Sequence, residues 1–145
     1  MRLTDSTIRT LSKVLLHDHL DGGLRPQTIV ELARDQSYKG LPTSDAGELA
    51  DWFHRGAQRG SLALYLEGFA HTCGVMQTEE ALGRVAYEML EDMRDDGVAY
   101  VETRFAPVFH TGKGLHYDDV VSAVLKGLER GKKDFGVKFG VIICA

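Results

Sequence analysis

The chain is poor in the residues that define specialised scaffolds. Its two cysteines, Cys73 and Cys144, lie far apart with no CxxC spacing, which excludes a disulfide framework and a cysteine-rich zinc module and suits reduced thiols in the cytoplasm. Basic residues do not dominate. Seventeen Lys and Arg stand against 21 Asp and Glu, giving a net charge of −4, and no aromatic-interleaved basic stripe marks a nucleic-acid surface. The densest basic stretch, Lys126 to Lys138, reads as the solvated face of a helix. No apolar run reaches membrane-spanning length, and the amino terminus lacks a signal-peptide core. There is no Gly-rich phosphate cradle and no nucleophile elbow. Only three prolines interrupt the chain, and no repeat, linker or low-complexity segment divides it. A hydrophobic content of 43% and a charged content of 26% are those of an ordinary globular chain, one domain or part of one.

What is present alternates between two periods. Lys13 to His19 and Val98 to Phe105 read as strands, and Val137 to Cys144 as a third. A short helix or turn over Ser6 to Leu11 leads into the first strand. Pro26 suits the first position of a helix running to Asp35, and Tyr38 to Pro42 breaks it. Asp45 and Glu48 form a capping pair for a helix reaching about His54, and Ser61 to Thr72 forms another. Thr78 opens the clearest helix, with Ala81, Leu82, Val85, Ala86, Met89, Leu90 and Met93 at helical spacing and Gly97 as its stop. Ala106 to His116 is a loop, and Tyr117 to Asp134 returns to helix before Gly136. Strand, helices, strand, helix, strand is the pattern of a parallel sheet, with several helices in its first crossover.

The run Lys13-Val14-Leu15-Leu16-His17-Asp18-His19-Leu20-Asp21-Gly22-Gly23 carries the chemistry. Its apolar residues predict a strand buried on both faces. Alternation then sends His17 and His19 the same way, roughly 6.5–7 Å apart along the backbone, and Asp18 the other way. In a loop such a pair means little. On a buried strand two imidazoles need polar partners, and they can share one borderline-soft cation, most naturally zinc.

His17-Asp18-His19-Leu20-Asp21-Gly22-Gly23-Leu24-Arg25-Pro26 resembles the first metal-binding segment of the adenosine deaminase family, with Gly23 where Ser or Ala is usual. Asp96-Gly97-Val98-Ala99-Tyr100-Val101-Glu102-Thr103-Arg104-Phe105-Ala106-Pro107 is similar to that family's second barrel strand. The resemblance implies a (β/α)₈ TIM-type barrel, represented here by its first three strands with a helical insertion after the first. It implies one Zn²⁺ per site held in part by His17 and His19, and hydrolytic deamination of adenosine or deoxyadenosine. His19 and Asp21 would contact substrate, Asp21 through the ribose 5′-hydroxyl. The similar adenine deaminases usually carry Glu there, so Asp21 favours a nucleoside. Leu62, Tyr65, Leu66 and Phe69 match an apolar lid helix, although periodicity alone reads them as core; Tyr65 is expected nearest to ligand.

Such barrels typically need about 250 residues. The third metal His, the metal Asp, the catalytic Glu and a second catalytic His implied by the resemblance belong to later strands. No catalytic residue is therefore expected within these 145, and the chain alone is expected to be inactive. The exposed edge that Val137 to Cys144 would leave points to a longer protein; a small unit that dimerises to cover that edge is the alternative. Rival functions are another amidohydrolase-superfamily hydrolase, acting on adenine, a nucleotide or an amide, and a non-catalytic module of the same fold. Glu102 and Arg104 share a strand face with Tyr100 and are expected to pair with each other or across strands. His71 and Cys73 diverge at a helix end and read as core. His110 falls in the loop after the second strand, where barrel sites gather. His54 and His116 read as surface or cap positions.

Overall fold

A computed structural model describes residues 4–145. Three parallel strands, β1 (Lys13–His19), β2 (Val98–Phe105) and β3 (Lys138–Ile143), form one sheet in the order β1-β2-β3. Helix α1 (Asp5–Thr10) precedes β1. Between β1 and β2 run α2 (Pro26–Asp35), α3 (Ala46–Ala57), α4 (Leu62–Val75) and α5 (Glu79–Asp95), and α6 (Tyr117–Phe135) joins β2 to β3. A 3₁₀ turn, Pro107–His110, follows β2 directly.

Local chemistry sets these boundaries. Pro26 occupies the first turn of α2, where its missing N–H leaves no bond unmade. The Asp45 carboxylate accepts the Glu48 N–H at the start of α3, and the Thr78 hydroxyl accepts the Ala81 N–H at the start of α5. Glu79 and Glu80 place negative charge on the electropositive end of α5. His116 caps α6, with its backbone N–H donating to Asp119. That helix stops at Gly136, whose φ of 76° is in the left-handed region.

Strand β2 shows which side is core. Val101, Thr103 and Phe105 are buried, while Tyr100, Glu102 and Arg104 share the other, half-exposed face. The core joins the first set to Leu82, Leu90, Val120 and Leu128 from α5 and α6, and to Leu20, Ile29 and Leu49 nearer the crossover helices. Helices α5 and α6 thus back the sheet as a barrel's outer layer does.

One expectation needs correction, and another is decided between its two alternatives. Strand β1 is not buried on both faces: Val14 and Leu16 are 61% and 58% exposed, because among the described residues no element covers that side. Glu102 and Arg104 do not pair with each other. Glu102 accepts from the Tyr100 hydroxyl at 3.1 Å, and Arg104 Nη2 donates to the Leu16 carbonyl at 3.2 Å. Strand β1 is an edge, so the guanidinium finds a backbone acceptor along it.

Candidate metal centre and binding cleft

The pairing of β1 with β2 slips next to the histidines. Leu15 lies opposite Val101 and Asp18 opposite Thr103, so three steps of β1 span two of β2. Such an irregularity re-aims side chains and recurs beside functional sites. His17 and His19 nonetheless remain on one side, their ring centroids 5.5 Å apart and their planes tilted by 34°. Both are exposed, so the rings are not enclosed by the described residues. The His19 and Phe69 rings stand nearly perpendicular with centroids 6.2 Å apart, and His19 Nδ1 lies 3.7 Å from Asp21 Oδ1. Asp18 points away toward α5. Burial raises its carboxyl above the ordinary range, and the neighbouring His19 and His17 pull it back.

Asp21 sits just past the end of β1 and is 4% exposed. Its Oδ1 has no hydrogen-bond partner. His110, delivered by the 3₁₀ turn after β2, is fully buried beside it, with Nε2 3.9 Å from Asp21 Oδ2 and likewise unpartnered. The other His110 nitrogen, Nδ1, lies 3.1 Å from the Met76 carbonyl. A carbonyl only accepts, so Nδ1 is the donor to it, and Nε2 is the ring nitrogen turned toward Asp21. Cys73 on α4 completes the group. The donor atoms of Asp21, Cys73 and His110 all lie within 4.8 Å of one another. Burial and the Asp21 charge push the Cys73 thiol up to about 12.

Asp21 and Cys73, though not the fully buried His110, open onto a cleft of about 720 Å³ whose walls also include His19, Leu66, Phe69 and Phe109. It lies at the carboxyl ends of all three strands, since Phe105, Ala106 and Cys144 also border it. Of the expected lid residues, Leu66 and Phe69 line the cleft. Tyr65 does not: it faces a smaller pocket with Trp52, Phe53 and Gly68, and Leu62 is 72% exposed. His71 separates from Cys73 as expected, its Nδ1 3.1 Å from the Tyr38 hydroxyl, and burial lowers its pKa.

Gln77 joins the two sides of the cleft. Its amide nitrogen donates to the Cys73 and Phe109 carbonyls at 2.7 Å each, and its oxygen accepts the Gly112 N–H at 2.8 Å. It thereby ties the end of α4 to the 3₁₀ turn. Sequence pattern gave no sign of this, because all but the Cys73 bond are non-local.

The donor set on β1 fits zinc in part. Two imidazoles on one side of a strand end are ligands of the type zinc takes, and a catalytic site needs at least one more. The architecture, with its cleft at the carboxyl ends of parallel strands backed by helices, is that of a portion of a (β/α)₈ barrel. Residues 12–145 match the family described as adenosine deaminase, and the chain belongs to that family. The adenosine deaminase of Mycobacterium ulcerans is 55% identical over 130 residues, covering 90% of this chain and 36% of that protein. The chain thus spans about a third of the length of the curated relatives it matches. Among solved structures, a Burkholderia ambifaria amidohydrolase with bound Zn is 26% identical and superposes with a TM-score of 0.78, covering 99% of this chain and 39% of the other. The adenine deaminase of Arthrobacter aurescens is 28% identical with a TM-score of 0.77, covering 90% and 38%.

Proposed function

We propose that the protein carrying this chain converts adenosine or deoxyadenosine to the inosine form by hydrolytic loss of ammonia, with His17 and His19 as two ligands of a zinc ion. The relatives named adenosine deaminase support the reaction class, and the zinc-bearing amidohydrolase supports the metal. Zinc held there would make hydroxide available at neutral pH. The remaining ligands and the acid–base groups would come from outside this chain.

The observation that carries the nucleoside assignment is Asp21. A buried carboxylate oxygen without a partner, bordering a cleft, needs a donor from the ligand. A ribose 5′-hydroxyl donates one hydrogen bond to it, whereas a 5′-phosphate would bring negative charge against it. Leu66 and Phe69 then offer apolar surface to the purine, and His19, between Asp21 and the Phe69 ring, is placed to contact the ribose end. We also assign the protein to the cytoplasm, where its two free thiols would stay reduced. No helix among the described residues is long and apolar enough to cross a membrane.

The test is steady-state deamination by the natural protein, followed by loss of adenosine absorbance, with Asp21→Ala. KM should rise more for adenosine than for 5′-deoxyadenosine. Equal losses on both substrates contradict the ribose contact, and turnover of adenine but not adenosine contradicts the nucleoside assignment.

A further inference from the structure

We propose that Asp21, Cys73 and His110 form a second cation site, separate from the His17–His19 pair, that takes a thiophilic divalent ion such as Zn²⁺ or Cd²⁺.

Three different elements bring the donors together: the end of β1, helix α4 and the 3₁₀ turn after β2. Two of the three side chains are more than nine-tenths buried, and each has a polar atom without a partner, Asp21 Oδ1 and His110 Nε2. Leaving two such buried polar atoms unsatisfied is costly, and His110 Nε2 lies 3.9 Å from the other oxygen of the same carboxylate, Oδ2. A cation relieves both. His110 already has the arrangement of a metal-bound histidine: its Nδ1–H is fixed by the Met76 carbonyl, which leaves Nε2 as the ligating atom. Donor separations of up to 4.8 Å exceed the roughly 3.3–3.8 Å of a tetrahedral zinc site, so the side chains must close by about an ångström. The half-buried Cys73 on the cleft wall is the least confined of the three.

The thiol sets the selectivity. A sulfur ligand beside an imidazole and one carboxylate favours soft or borderline ions over Mg²⁺ and Ca²⁺. Without a cation, burial and Asp21 keep Cys73 protonated. Binding forms an S–metal bond, and the thiol proton passes to solvent. Asp21 and Cys73 both line the cleft, so an ion would reach the site from it. The occupied site withdraws Asp21 from the ligand, so the ion would compete with nucleoside; this consequence, unlike the binding itself, rests on the proposed ribose contact.

The experiment adds cobalt(II) to the natural protein already loaded with one equivalent of zinc. A thiolate-to-cobalt charge-transfer band should develop and persist in Cys144→Ser. It should disappear in Cys73→Ser, an isosteric change whose folding is checked by thermal melting. His110→Gln should weaken cadmium binding at least about tenfold. Absence of a Cys73-dependent band overturns the site and leaves the deaminase reading intact. A Cys73-dependent band together with cadmium inhibition competitive against adenosine supports both. The same band without competition supports the cation site and contradicts the ribose role of Asp21.

Discussion

Gly127 of α6 lies against the Gly83 backbone of α5 so closely that a Cβ at Gly127 would overlap the Gly83 carbonyl oxygen and come within 2.9 Å of the Ala86 Cβ. Only a residue without a side chain permits the two helices to pack at this distance behind the sheet. Gly127→Ala should therefore destabilise the fold by about 1–3 kcal/mol through overpacking. Urea denaturation measures this, and no change in the midpoint would show that the helices separate freely.

Arg25, two residues after the glycine pair of the histidine segment, clamps the start of α2 to α5. Its Nη2 lies 2.6 Å from Asp92 and 2.8 Å from Glu91, and its Nε donates to Asp92 at 3.0 Å. These carboxylates hold the guanidinium pKa above its usual value. The groups are about one-third exposed or more, so solvent screening limits the effect. Arg25→Ala should cost about 1 kcal/mol, with the difference shrinking in high salt. A salt-independent loss would assign the effect to packing of the side-chain stem.

Cys73 makes the fold sensitive to alkali. Its thiol pKa rises from 9.0 to about 12 on folding. Above about pH 9 the unfolded chain releases this proton while the native chain keeps it, so stability falls as pH rises from 9 toward 12. The denaturation midpoint of the unaltered, metal-free protein should drop further between about pH 8 and about pH 10.5 than that of Cys73→Ser. Parallel loss in both proteins would contradict the shift.

Much of this was legible in the sequence because it rests on local chemistry. Strand β1 runs over the predicted Lys13 to His19 and β2 over the predicted Val98 to Phe105, and the capping roles of Asp45, Thr78 and Gly136 were readable from neighbours a few residues away. The same-sided histidines followed from alternation, although it did not reveal the slipped register beside them. That slip depends on how β1 pairs with β2, about 85 residues on, which no periodicity encodes. The Gln77 bonds to the 3₁₀ turn and the approach of His110 to Asp21 are likewise products of tertiary packing. His110 was marked only by its place after a strand, and Cys73 read as core. The predicted burial of β1 failed because apolar residues report a need for cover without specifying which segment supplies it.

The central claim is that the neighbouring rings of His17 and His19 hold zinc. X-ray absorption at the zinc edge of the natural protein, carrying one equivalent of metal, tests it most directly. The account predicts scattering from at least two imidazoles and no sulfur, with loss of that signature and of tight binding in His17→Ala and His19→Ala. An unchanged spectrum in both variants, or a sulfur neighbour in the first equivalent bound, would contradict it.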